Sequence, residues 1–198
     1  MDLIIASNNK GKILEIEQML KGLDLSVKSM GEVGFDTDID ETGTTFEENA
    51  MLKARYIFDR TDEAIVIADD SGLCVDSLGG APGVYSARYG GGGLTDGERY
   101  QLLLKAIDSV QRSEKTARFV CVIAVILPNG NSFTVKGICE GEITDRPYGE
   151  NGFGYDPVFY LPQYERTMAQ LDMEEKNRIS HRAKAIVAMR AELEKNGF

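Results

Sequence analysis

The chain has 198 residues, enough for one domain of two lobes with a substantial core, and its 42% hydrophobic and 27% charged residues are ordinary for a soluble globular protein. A formal net charge of −10 sets most of the surface against nucleic acid and anionic membrane, yet leaves room for a small anion in a locally basic pocket. Three scattered cysteines and one histidine argue against a disulfide framework or a zinc centre, and with no signal-peptide pattern or bilayer-length apolar run the expectation is a single cytoplasmic domain over 1–198.

Leu3 to Ala6 reads as a first strand, followed by the turn Ser7-Asn8-Asn9-Lys10-Gly11-Lys12 and a helix with Ile13, Ile16 and Leu20 on one face. A helix N-terminus offers unpaired N–H groups and a positive dipole end to an anion, and Lys10 and Lys12 add full charges. The spacing is not that of a Walker A loop. A plain strand-to-helix turn and a phosphate site both stand as readings. Residues 31–44 form a loop ending in Asp40-Glu41-Thr42-Gly43, and Thr44 with Glu47, or Thr45 with Glu48, makes a capping box for a helix running to about Asp59. Phe46, Asn49, Ala50, Lys53 and Ile57 share one face of that helix. Lys53 either packs its stem and snorkels to water or points inward to meet an anion.

Ile65-Val66-Ile67-Ala68-Asp69-Asp70-Ser71-Gly72 reads as a buried strand whose apolar run stops at two carboxylates and delivers them to a sheet edge, where ligands bind in open α/β sheets, with Leu73-Cys74-Val75 continuing extended beyond it. Asp-Asp-Ser-Gly is also a good polar turn. Because side chains alternate along a strand, only one of the two aspartates can look into a given site, and the other supports it. Thr95 and Glu98 open another helix, and Ala117 to Leu127 with Ser132 to Gly141 form a hairpin about Pro128-Asn129-Gly130-Asn131. The segment Asn151-Gly152-Phe153-Gly154-Tyr155-Asp156-Pro157 combines glycines for close approach, aromatic faces for stacking and a carboxylate for a base edge, or is a structural aromatic turn. Asp172 to Lys176 begins a helical turn, and Ser180 caps a last helix from His181 to about Lys195. There Arg182 lies on the stripe of Ile186, Met189 and Leu193 and points inward to a ligand or buried acid, while His181 sits about a hundred degrees away.

One pocket drawing on these segments holds Lys12, Lys53, Lys176 and Arg182 against an anion, Phe153 against a flat ring, and Glu41 with Asp69 or Asp70 for a metal. Carboxylates facing phosphates need that metal, since like unit charges at roughly 4 Å cost about 4 kcal/mol at an effective dielectric near 20. Magnesium takes one or two carboxylates plus substrate phosphates. The chemistry suggested is attack by water on a nucleotide phosphorus, with a nucleotide sensor lacking turnover as the reading from another class.

Ser7-Asn8-Asn9-Lys10-Gly11-Lys12, Glu41-Thr42-Gly43, Thr45 to Ala50 and Lys53-Ala54-Arg55 resemble the opening motifs of the inosine triphosphate pyrophosphatase family. Ala68 to Leu73 and Gly79 to Tyr89 resemble its bacterial-type central block, and Gly152 to Pro157 and Glu175 to Arg182 its closing ones. The first turn departs from the family's frequent Thr-Gly-Asn. The resemblance implies an elongated two-lobed α/β fold with a long twisted mixed sheet flanked by helices, an active-site cleft between the lobes, and a homodimer. It also implies Mg²⁺-dependent hydrolysis of ITP, dITP and XTP to monophosphate and pyrophosphate. Carried over, Ser7, Asn8, Asn9, Lys10, Gly11 and Lys12 contact the triphosphate, Lys53 adds charge, Glu41 and Asp70 bind metal, and Asp70 accepts the water proton. Ser71, Phe153, Gly154, Tyr155, Asp156, Lys176, His181 and Arg182 then line the nucleotide, with Arg182 facing the 6-keto oxygen.

Overall fold

The structure, a computed structural model, describes residues 1–198. Strands β1 (Asp2–Ile5), β2 (Ser26–Ser29), β3 (Ile65–Val75), β4 (Thr116–Ile126), β5 (Ser132–Ile143), β6 (Phe159–Leu161) and β7 (Arg166–Thr167) form one sheet in the order β2-β1-β3-β4-β5-β6-β7. β1 runs parallel to both β2 and β3, whereas β5, β6 and β7 pair antiparallel, so the sheet is mixed. The helices are α1 (Lys10–Leu20), α2 (Phe46–Phe58), α3 (Asp96–Ala106), α4 (Met173–Ile179) and α5 (His181–Lys195). This is the expected α/β class. No helix is long and apolar enough to cross a membrane.

Local chemistry sets the helix starts. Complete capping boxes form at Thr45 with Glu48, Thr95 with Glu98, and Asp172 with Glu175, each satisfying two backbone donors that the helix itself cannot. For α2 the Thr45 box is the one formed, and the Thr44 hydroxyl donates to the same Glu48 carboxylate. Pro128 to Asn131 joins β4 to its neighbour β5, with Leu127 donating to the Asn131 carbonyl at 2.8 Å. A connection this short permits only antiparallel pairing.

The chain folds into two compact units, one comprising 1–70, 121–137 and 182–198, the other 71–120 and 138–181. In the first, the stripe Ile16 and Leu20 of α1 and the stripe Ile186, Met189 and Leu193 of α5 pack with Ile65 and Ile67 of β3. The second is built on Leu73, Leu103, Phe119, Ile143, Phe159 and Met168.

The strand edge expected at the paired acids is corrected, while the extended Leu73-Cys74-Val75 expected after them belongs to the same strand. β3 is one strand of 11 residues with Asp69 and Asp70 in its middle. Charged residues normally end a buried strand, but here cations meet them and the strand runs on. The pairing of β1 with β3 ends at Ile5 opposite Ile67, so the acids lie just past the carboxyl end of β1. The chain passes from β1 to β2 on one side and returns to β3 on the other, which makes the β1/β3 step the switch point of the parallel strands. Beyond the acids, Gly72 lets the strand pass close to the turn at 83–88, where a Cβ would collide with the Gly83 carbonyl and the Ser86 side chain.

Candidate functional site

In the first unit, the turn after β1 is pulled into the helix. Asn9 caps α1 by accepting from the Lys12 amide at 3.1 Å, and its own amide donates to Ser7 Oγ at 3.2 Å. Lys10, Gly11 and Lys12 are therefore the first turn of α1 rather than part of a loop, and the amides of Lys10 and Gly11 have no acceptor within the helix. The Asn8 side-chain amide instead ties the turn to the Thr37 carbonyl at 3.0 Å.

Lys12 reaches Asp69. That carboxylate also accepts from Arg182 Nε at 3.0 Å and from the Cys121 thiol at 2.9 Å, and Arg182 in turn pairs with Glu15 of α1. The cluster holds two acids and two cations, and the Asp69, Arg182 and Glu15 side chains are all at most 2% exposed. Burial works to raise the Asp69 pKa, but Arg182 and Lys12 outweigh it and hold the carboxyl well below the usual range. Burial and the neighbouring Asp69 charge push the Cys121 thiol up, keeping it a protonated donor.

Asp70, one residue on, takes the opposite side of β3. Its Oδ1 lies 3.4 Å from Lys53 Nζ, which also donates to Glu41 Oε1 at 2.7 Å. Lys53 is thus the inward-pointing cation of the two readings, and its anions are the chain's own carboxylates. Burial raises the Asp70 pKa, and Lys53 and Lys12 offset this only in part. Its Oδ2 is buried without a hydrogen-bond partner.

These two carboxylates, drawn to one ammonium, suit magnesium. No group of three or more His, Cys, Asp or Glu side chains gathers into an all-protein cage, and magnesium does not require one, since it binds through one or two carboxylates with substrate phosphates and waters. The unpartnered Asp70 oxygen could serve as a hard ligand, and Glu41 as a second. Asp69 is committed to Lys12 and Arg182, and so stands as the support of the pair.

In the second unit, Ser71 follows Asp70 on β3, half-buried. The 152–156 turn folds on Asp156, whose Oδ2 accepts from the Phe153 amide at 3.0 Å and from Lys176 Nζ at 2.6 Å. Gly152, at φ +76°, has no room for a Cβ because the Asp156 carboxylate occupies that space. The Lys176 ammonium lies 4.8 Å from the centroid of the Phe153 ring. Gly154 donates to Asp96 at 2.8 Å, and the Tyr155 hydroxyl donates to the Ser86 carbonyl at 2.9 Å. His181 is buried and stacks on Phe119 with centroids 4.7 Å apart and planes at 18°.

The same geometry gives several of the expected site residues partners within the protein. Arg182, expected at the 6-keto oxygen of a base, is 1% exposed and pairs with Asp69 and Glu15. Asp156, expected at a base edge, is buried and pairs with Lys176. Tyr155, expected as a stacking face, is buried with its hydroxyl on backbone. Phe153 and Gly154 keep partial exposure. Sequence reasoning missed Glu15 and Cys121, for which the only signal was that an inward Arg182 required some buried acid.

Fold and site together define an α/β protein with carboxylates and cations gathered at the switch point of its parallel strands. The chain belongs to the Ham1 family, whose sequence profile matches residues 3–192. It is 49% identical over 193 residues to a dITP/XTP pyrophosphatase of Bacillus licheniformis, covering 98% of each chain, and 46% identical to one of Bacillus subtilis, covering 93% of each. Among solved structures, the Ham1 protein of Staphylococcus aureus superposes with a TM-score of 0.88 at 45% identity, covering 99% of this chain and 100% of that one. A HAM1 protein from Coxiella burnetii gives 0.89 at 42% identity, covering 98% and 99%. The relatives' names bear out the resemblance carried by the motifs.

Proposed function

We propose that the protein is a nucleoside triphosphate pyrophosphatase that hydrolyses the non-standard purine nucleotides ITP, dITP and XTP to the monophosphate and pyrophosphate, with Mg²⁺ held by Glu41 and Asp70. The observation that carries this reading is Asp70, a buried carboxylate with one unpartnered oxygen beside the Lys53–Glu41 pair. The names of the relatives, dITP/XTP pyrophosphatase, support it.

In this reading the triphosphate lies against the first turn of α1, where Ser7, Asn9 and the open amides of Lys10 and Gly11 meet an anion at the positive end of the helix. Lys12 and Lys53 supply full positive charge, each kept in place by a carboxylate. A bound divalent cation would neutralise the developing phosphate charge and acidify water. Asp70 accepts the proton of the attacking water. Phe153, partly exposed, offers a ring face on which a base can stack. Arg182 acts from behind, through Asp69.

The test is to incubate the purified protein with ITP, XTP, dITP, GTP, ATP, dUTP and dCTP in Mg²⁺ and separate the products by ion exchange. Monophosphate and pyrophosphate from ITP, dITP and XTP, with little turnover of ATP, is the expected result. Release of orthophosphate alone, or equal turnover of ATP or the pyrimidine nucleotides, overturns the reading.

A further inference from the structure

We propose that Asn49 is a positioning residue for Glu41, acting through the backbone of Gly43. The inference rests on the reading of Glu41 and Asp70 as the carboxylates that hold a divalent cation.

Asn49 lies in the first half of α2 and is completely buried. Its Oδ1 accepts from the Gly43 amide at 2.8 Å. The approach is close enough that Gly43 cannot carry a side chain, since a Cβ there would stand 2.7 Å from both Asn49 Oδ1 and Glu48 Cβ. The next two amides, those of Thr44 and Thr45, donate to Glu48 Oε2 at 2.7 and 3.1 Å. Three consecutive amides of the segment leading into α2 are therefore bound by two side chains of that helix. Glu41 stands two residues before this strap.

α2 also holds Glu41 from the other side. Lys53 is four residues after Asn49, one helical turn along the same face, and its ammonium donates to Glu41 Oε1 at 2.7 Å. One helix thus fixes the backbone near Glu41 with Asn49 and its carboxylate with Lys53, which in turn sits 3.4 Å from Asp70.

Neither packing nor helix initiation accounts for Asn49. The Thr45–Glu48 box already caps α2. The Asn49 Nδ2 is buried with no partner, and an unmade hydrogen bond of a buried amide is destabilising. An aliphatic side chain of similar volume would fill the position without that penalty. What the amide alone provides is the acceptor for Gly43.

The experiment measures Mn²⁺ binding by electron paramagnetic resonance on the full chain with the α,β-methylene analogue of ITP, alongside the Mg²⁺ concentration giving half-maximal hydrolysis of ITP. Asn49→Leu keeps its fold by circular dichroism and loses Mn²⁺ affinity about 10- to 100-fold, as loss of a hydrogen bond supporting a metal ligand does. Its Mg²⁺ requirement rises in parallel, and KM for ITP at saturating Mg²⁺ stays at the wild-type value. Gly43→Ala drives a Cβ into the Asn49 side chain and gives the same metal phenotype, and the double variant is no worse than the poorer single one because both act on one hydrogen bond. A folded Asn49→Leu with wild-type Mn²⁺ affinity overturns the proposal; should that variant fail to fold, wild-type affinity in Gly43→Ala does so instead. If the wild-type protein neither binds Mn²⁺ nor hydrolyses ITP, the functional reading itself is overturned, and the clasp with it.

Discussion

Asp69 and Asp70 are neighbours on one strand, and their replacement by asparagine should give opposite phenotypes. Asp69→Asn is nearly isosteric, but it removes the negative charge that Lys12 and Arg182 share in a region where the Asp69 side chain is fully buried. Arg182 then keeps Glu15 while Lys12 loses its ion pair, and breaking a buried pair from one side costs about 3–5 kcal/mol. For a chain of this size each kcal/mol lowers Tm by about 2–4 °C, so Asp69→Asn should melt about 6–20 °C below wild type. Asp70→Asn differs. Its carboxyl has a raised pKa, meaning that the fold opposes its charged form, and Lys53 keeps Glu41. That variant should melt at or above the wild-type temperature and lose at least about 100-fold in kcat, as expected for a general base. Differential scanning calorimetry and a pyrophosphate-release assay on the same preparations read both quantities. Equal destabilisation of the two variants, or near-normal kcat in Asp70→Asn, would refute the division of roles.

Three further outcomes follow from the same side chains and their neighbours. Lys176→Met leaves the Asp156 carboxylate buried without its cation and should cost about 3–5 kcal/mol in urea denaturation, whereas Lys176→Met with Asp156→Asn should recover most of it; a double variant as unstable as the single one would contradict this. Gly72→Ala places a Cβ against the Gly83 carbonyl and Ser86 and should lower stability by about 1–3 kcal/mol, with an unchanged denaturation midpoint counting against it. The depressed pKa of Asp69 gives a stability contribution present above its unfolded value near 3.9 and lost as pH falls through its lower folded value. Wild-type Tm should therefore fall steeply below about pH 4, less so in Asp69→Asn; parallel profiles for the two proteins would remove Asp69 as the cause.

What is legible in the sequence is local. Thr45 with Glu48 and the stripe of Ile186, Met189 and Leu193 can be read because caps and periodicities act over a few residues. Arg182 is readable as inward, but its partners Asp69 and Glu15 lie 113 and 167 positions away, and nothing in the pattern around Glu15, set between Leu14 and Ile16, distinguishes it from a solvated acid. The same distance hides the role of Cys121, which looks in sequence like any small apolar residue of β4 and instead donates to Asp69. A strand pattern suggests an end at the acids because a buried carboxylate without a partner would end it; Lys12 and Arg182, supplied by α1 and α5, are what allow β3 to continue.

The two compact units are interleaved along the chain, which leaves one and enters the other at 70/71, 120/121, 137/138 and 181/182. Two of those crossings fall inside the sequence motifs, separating Asp70 from Ser71 and His181 from Arg182. No contiguous stretch of the gene encodes either unit, so a truncation or recombination breakpoint anywhere from 71 to 181 splits at least one of them. The protein is therefore inherited and engineered as a whole: neither unit can be exchanged as a single cassette, and fragments would regain activity only by reassembling from both sides of the cut.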